Sequence, residues 1–490
     1  MNIERQLLAG ALLVLLGVFA SRLSSRLGVP ALLLFLGLGM LAGSDGIGGI
    51  EFTDAELAQA IGVVSLALIL FDGGLSTAWD DVRPIAVRGA VLATIGVVLT
   101  AAVVGVAAAA ILDVPLEVGL LLGSIISSTD AAAVFAILRA RKAGLTGGIQ
   151  PTLELESGAN DPMAALLTVT MISVVQGDSG NPLETAGLAI LQLGLGCLLG
   201  FAAGWLAVRL INWLTVDTEG LYPVLTLATT LGTYAGTTQL GGSGFIAAYC
   251  CGIYLGNHEV IHRKSIIRFH AALGWLAQIT MFLVLGLLVF PSRLPEVAGS
   301  ALLVAVALTL LARPISVVLC LLPFRVPWRQ QAVISWVGLR GAAPIILATF
   351  PLVEGIPEAQ LIFDVVFFVV LTSVLLQGTT LEPVARFFGV TGPFVDRRPA
   401  PLEPGVPLPD GTALRQVHIP HGAYGDGRPL VGAGLPPGAL VVLVEREGAY
   451  IVPTGTTKLH GGDRVLVLAD DDAFAAAQAL LTAPVDGDAD

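Results

Sequence analysis

Leu153-Glu154-Leu155-Glu156-Ser157-Gly158-Ala159-Asn160-Asp161-Pro162 lies inside an apolar stretch running from 151 to 175. A helix of that length crosses a hydrocarbon core of about 30 Å at about 1.5 Å per residue. Acids in such a place cost about 2.5–3.5 kcal/mol each on insertion scales, so their retention points to function. By the same rise Asp161 stands about 15 Å into the span, near mid-depth. Glu156 and Asn160 are i and i+4, as are Ser157 and Asp161, so all four project from one side of a helix. That side offers two carboxylates, an amide and a hydroxyl, hard oxygen ligands that suit a small cation. No Cys or His joins them, which points away from a transition metal. Pro162 removes a backbone donor and is expected to loosen the helix there.

The rest of the chain agrees with a membrane setting. Hydrophobic residues make up 55% of the 490 and charged residues 13%, against about 25% charge in soluble domains. Gly is abundant, with 58 residues, and aromatics are only 6%, a mix suited to helices packed closely in lipid. The net charge of -12 argues against nucleic acid as a partner, since such a protein carries a basic face. Cys197, Cys250, Cys251 and Cys320 sit in apolar runs without metal-ligand spacing and read as buried small hydrophobes.

Apolar runs predict about thirteen spans, at 6–21, 30–43, 57–71, 84–112, 116–138, 151–175, 184–208, 220–238, 243–256, 268–290, 296–322, 330–353 and 359–385. The first reads as an uncleaved helix, because Met1–Arg5 is barely basic and a second apolar segment follows. Lys and Arg sort onto alternate connections. Arg22, Arg26, Arg83, Arg88, Arg139, Arg141, Lys142, Arg209, Arg263, Lys264, Arg268, Arg325, Arg329, Arg386, Arg397 and Arg398 share one side, whereas the other carries Arg5 and Arg293 with acidic turns such as Ser44-Asp45-Gly46. The positive-inside rule then places the N-terminus outside and the C-terminus in the cytoplasm.

Two further spans are polar at depth. Gly123-Ser124-Ile125-Ile126-Ser127-Ser128-Thr129-Asp130 carries an acid about 20 Å into the fifth span. Gly338-Leu339-Arg340-Gly341-Ala342-Ala343-Pro344 places an Arg about 15 Å into the twelfth, at a depth similar to Asp161. Both suit broken helices, and because they are seven spans apart, repeats of spans 1–6 and 8–13 would be inverted relative to each other. Asp130 can serve an ion or cap the second half of its helix. Glu156 and Arg340 read as a structural ion pair between two helices. Asp72, in Phe71-Asp72-Gly73-Gly74, reads as an outer-layer or access group, and Arg313 beside Pro314 as snorkelling towards the inner surface.

Beyond Arg386 the composition shifts. Residues 391–411 form a Pro-rich, charged linker and 412–484 a small domain. Its expected elements are strands at Leu440–Val444, Gly448–Pro453 and Arg464–Leu468 and a final helix from Asp472 to Leu481. No G-x-G-x-x-G follows a strand there, so NAD is not expected.

The stretches around Asp130, Asp161 and Arg340 resemble the NhaP-like monovalent cation:proton antiporters over about residues 5–390. The tail, through Val452-Pro453-Thr454-Gly455 and Leu459-His460-Gly461-Gly462-Asp463, is similar to a TrkA-C (RCK C-terminal) domain, as in the potassium/proton branch. The resemblance implies a multi-pass inner-membrane antiporter with an all-α transmembrane domain (1–390), inverted repeats and two broken crossing helices, and a small α+β cytoplasmic domain. It implies Asp161 as carrier of cation or proton, Asp130, Ser157 and Thr129 as further ligands of K+ or Na+, and Asn160 where electrogenic relatives carry a second acid. One cation per proton would follow. It also implies a homodimer in lipid, no cofactor, no enzymatic activity, and a regulatory ion, nucleotide or other small ligand on the tail. Two other readings share features with this one. A cation channel would use the same ligands but lacks a filter-like run here. An intramembrane aspartyl enzyme would need two poised acids but leaves Asn160 and Arg340 without a task.

Overall fold

The computed structural model describes residues 3–27, 31–141, 143–146, 148–177, 181–214, 218–393, 412–420, 422–446 and 449–483. Lys142, the predicted linker from 394 on with Arg397 and Arg398, the first residue of the predicted strand at Gly448, and position 484 lie outside them. The chain divides after Pro393 into two compact units.

The first unit is almost entirely helical. Its first half contains α1 (Ile3–Leu27), α2 (Ala31–Ala42), α3 (Ala55–Ser76), α4 (Trp79–Val82), α5 (Ala86–Val91), α6 (Val97–Leu112), α7 (Leu116–Ile125), α8 (Ala131–Ala140) and α9 (Ile149–Val175). The second half contains α10 (Pro182–Trp213), α11 (Leu221–Gln239), α12 (Gly244–Gly256), α13 (Arg263–Leu288), α14 (Leu294–Ala307), α15 (Arg313–Leu321), α16 (Trp328–Trp336), α17 (Ala342–Leu347), α18 (Thr349–Val353) and α19 (Ala359–Phe387). Among the described residues, seven helical stretches are each long and apolar enough to cross a membrane alone. Ala31–Ala42, Leu116–Ile125, Gly244–Gly256 and Ala342–Val353 are among the shorter apolar ones. The protein is therefore a mostly helical, multi-pass membrane protein.

Four irregularities shape the interior. Single π-helical turns interrupt the helices at Leu92–Gly96 and Leu308–Ala312. The first packs against α15, which follows the second directly, with the Ser316 hydroxyl donating to the Gly96 carbonyl at 2.7 Å. The helix backbone is lost altogether between α7 and α8 and between α16 and α17, where the sequence places Ser, Thr, Asp and Gly. Ser, Thr and Asp side chains compete for backbone groups and Gly adds flexibility, so both segments leave the helix readily. By contrast α9 runs unbroken through Pro162, so the expected loosening does not end the helix. The proline forfeits one bond, and the turns on either side keep theirs.

Elsewhere backbones pack against one another. A Cβ on Gly252 of α12 would stand 2.3 Å from the Phe71 carbonyl of α3, so only glycine permits this approach. The unit also holds a small sheet. Strand β1 (Ala143–Leu145), between α8 and α9, pairs antiparallel with β2 (Thr391–Pro393) after α19. Residues 391–393, expected to begin the linker, are instead a strand whose backbone groups bond to this loop.

Among its described residues the second unit is an antiparallel sheet with one α-helix. Its strands β3 (Ala413–His418), β4 (Leu440–Arg446), β5 (Ala449–Ile451) and β6 (Arg464–Ala469) lie in the order β3-β6-β4-β5. Helix α20 (Asp471–Thr482) is capped by Asp470, which accepts from the Ala473 amide. Val417, Val444, Val465, Val467 and Leu481 form the core. Arg446 donates twice to Asp463, at 2.9 and 2.8 Å, and the His460 amide donates a third bond at 2.8 Å. Burial alone would raise the Asp463 carboxyl, but these bonds outweigh it and hold the group below the usual carboxylate range.

Candidate functional site where two broken helices meet

The two breaks, Ile126–Asp130 and Val337–Gly341, touch. The Asp130 amide donates to the Leu339 carbonyl at 2.7 Å. Arg340 reaches the other way, its Nη1 donating to the Ser127 carbonyl at 2.8 Å and also to the Ser128 carbonyl. These carbonyls lie just past the end of α7, where a helix presents unsatisfied acceptors and the negative end of its dipole. A guanidinium suits that end, and Arg340 is only 1% exposed. Asp130 takes the complementary position. Its Oδ1 accepts from the Ala133 amide at 3.1 Å, capping the positive end of α8. Its other oxygen packs on Gly341, where a Cβ would stand 2.3 Å away. One charge of each sign thus neutralises broken-helix ends.

Helix α9 packs across this junction. Ser157 Oγ accepts from the Ala131 amide at 2.9 Å and donates to the Thr129 carbonyl at 3.0 Å. Asn160 Nδ2 donates to Thr129 Oγ1 at 2.6 Å. Ser157 and Asn160 therefore brace the break in span five. Asp161 is on the same helix and remains partly exposed. Its charged neighbours are Asp130 and Arg340. The structure brings Thr129, Asp130, Ser157, Asn160 and Asp161 together. Asp72 takes no part in these hydrogen bonds. It lies against α13, where a Cβ on Gly274 would stand 3.2 Å from Oδ2, and its buried Oδ1 has no hydrogen-bond partner among the described residues.

Glu156 does not pair with Arg340. It is bound in bidentate fashion by Arg313, with Nη1 to Oε1 at 2.5 Å and Nη2 to Oε2 at 2.9 Å. Glu156 is 0% and Arg313 3% exposed, so Arg313 does not snorkel. The π-turn before α15 and Pro314 within its first turn shape the backbone around Arg313. Arg313 packs so closely on the break that a Cβ on Gly338 would stand 2.9 Å from its Nε. Arg340 is committed instead to the Ser127 and Ser128 carbonyls past the end of α7, whose geometry no depth count reveals.

Several buried polar groups were not singled out from sequence. Ser373 and Gln377 of α19 bond to the break in span twelve. Asp364, 4% exposed, accepts from Gln360 at 3.0 Å. His270 bonds Thr226 at 2.8 Å. Polar letters inside apolar spans were the available signal, the same one that exposed Asp161.

A pair of touching helix breaks within apolar spans, with buried charge and an adjacent partly exposed acid, is the arrangement of a secondary transporter of small cations. The chain belongs to the sodium/hydrogen exchanger family, whose transmembrane domain matches residues 10–387, and a TrkA-C domain matches 414–482. The K(+)/H(+) antiporter NhaP2 of Shewanella sp. strain ANA-3 is 42% identical over 487 residues, covering 98% of this chain and 84% of that protein. The K(+)/H(+) antiporter NhaP of Alkalimonas amylolytica is 44% identical over 391 residues, covering 80% and 68%. The sodium proton antiporter MjNhaP1 of Methanocaldococcus jannaschii superposes with a TM-score of 0.66 at 25% identity, over 79% of this chain and 98% of that one.

Proposed function

We propose that this antiporter exchanges K+ for H+, one for one, across the bacterial cytoplasmic membrane, and serves cation and pH homeostasis. The observation that carries the reading is Asp161: a partly exposed acid on an unbroken helix, beside a junction whose other charges are already committed. Asp161 holds a dehydrated cation or a proton, never both. Empty, it is a bare charge in a low dielectric and costly to carry across. Occupied by either, it is neutralised and the carrier can change sides. Thr129, Asp130 and Ser157 complete the cation's oxygen shell. Asn160, whose Nδ2 donates to Thr129, adds no second acid, which favours electroneutral exchange.

Potassium is favoured by the near full-length similarity to proteins named as K(+)/H(+) antiporters and by the shared tail. Thirteen spans in inverted repeats fit the irregularities, since spans four and eleven each carry a π-turn and spans five and twelve each break. The distribution of Lys and Arg favours a periplasmic N-terminus and a cytoplasmic tail. The chain acts as a homodimer in lipid, residues 1–390 transporting and 412–484 regulating in response to a small ligand.

Proteoliposome exchange with K+, Na+, Li+ and Rb+ titrated in turn tests the reading. Wild-type protein should exchange K+ at the lowest concentration, and Asp161→Asn should abolish cation-dependent proton flux with every ion. Retained flux in that variant refutes the assignment, while a lower half-saturating concentration for Na+ would reassign the cation alone.

A further inference from the structure

In an uninterrupted helix the Arg340 amide would donate to the Trp336 carbonyl, four residues earlier. The break in span twelve removes that bond, and a chain of side-chain groups takes its place. The Arg340 amide donates to Ser373 Oγ at 3.1 Å, Ser373 Oγ donates to Gln377 Oε1 at 2.5 Å, and Gln377 Nε2 donates to the Trp336 carbonyl at 3.0 Å. Ser373 and Gln377 are one turn apart on α19 and are 6% and 2% exposed. One turn further on, Thr380 Oγ1 accepts from Trp336 Nε1 at 3.0 Å.

We propose that Ser373 and Gln377 are positioning residues for transport: they span the opened turn and fix the Arg340 guanidinium on the Ser127 and Ser128 carbonyls. Hydrogen-bond polarity makes the device directional. Gln377 must turn its NH2 to the Trp336 carbonyl, so its oxygen faces Ser373. The serine's one hydrogen goes to that oxygen, leaving a lone pair for the Arg340 amide. Every link is then satisfied, as a buried network requires. Without it, two backbone groups are orphaned in a dry site, and the simplest remedy is to rejoin them directly. That closes the turn and draws Arg340 away from the carbonyls before Thr129, the residue Ser157 and Asn160 also hold. Cation binding would weaken although neither residue touches the ion.

The proposal rests on the Asp161 reading, and its test separates the two. Cation-dependent exchange is measured in proteoliposomes with wild type, Ser373→Ala, Ser373→Thr, Gln377→Met and Asp161→Asn at matched protein amounts. Ser373→Ala and Gln377→Met should each raise the cation KM about five- to tenfold, near the effect of one orphaned buried polar group, with maximal rate within about twofold. Ser373→Thr, which keeps the hydroxyl, should restore the wild-type KM. An unchanged KM in either disabling variant overturns the positioning role. So does failure of both to accumulate in the membrane, because the clamp would then only support the fold. Exchange persisting in Asp161→Asn would instead remove the reading beneath it.

Discussion

The seam between α3 and α12 and the junction of the two breaks are built on opposite rules. At the seam, backbones meet through glycine, as at Gly252 against the Phe71 carbonyl. Close packing of this kind has one good arrangement and no partner to exchange. At the junction, contact runs through charges and hydrogen bonds, and the satisfaction is incomplete. Asn160 Oδ1 and Arg340 Nε are buried without a hydrogen-bond partner among the described residues. A polar cluster with unused capacity can accept a guest or a second arrangement at modest cost, whereas the glycine seam cannot. The contrast marks the first as scaffold and the second as working part.

The largest expected effect that sharpens this contrast is at the Glu156–Arg313 pair. Glu156→Gln strands a buried guanidinium and should cost about 3–5 kcal/mol, while replacing both residues by Met should recover much of it. Membrane abundance and thermal unfolding in detergent check this. A well-folded Glu156→Gln protein lacking only transport would move Glu156 from scaffold to working part. At the seam, Gly252→Ala should cost about 1–3 kcal/mol by overpacking against a carbonyl. It should lower the melting temperature while leaving the cation KM of the surviving protein unchanged. A shifted KM there would break the contrast.

How much of this was legible beforehand follows the same division. Asp161, both breaks and the tail domain could be read because each is a local departure from its surroundings: an acid or Gly-Ser-Asp cluster in an apolar run, or alternating apolar residues after a charged stretch. The partner of Glu156 could not. Arg340 reads as the deep arginine and Arg313 as snorkelling, and the true pairing turns on which of them faces the freed carbonyls just past α7, a tertiary fact. Nor could the Ser373–Gln377 bridge, whose meaning exists only once span twelve is known to open opposite α19. Strand β3 escaped because Ala413–His418 buries fully only Ala413 and Val417, too little alternation to stand out. The continuity of α9 through Pro162 likewise depends on neighbouring helices and not on the proline.

The most direct measurement is K+-driven proton exchange in proteoliposomes, titrated with K+ at a series of fixed pH values equal on both sides. If a single carboxylate serves both ions, acidification raises the half-saturating K+ concentration, tenfold per pH unit at the acid limb, and saturating K+ restores the full rate. A half-saturating concentration that stays constant while the maximal rate falls would mean that proton and cation occupy different groups, and the account would be wrong.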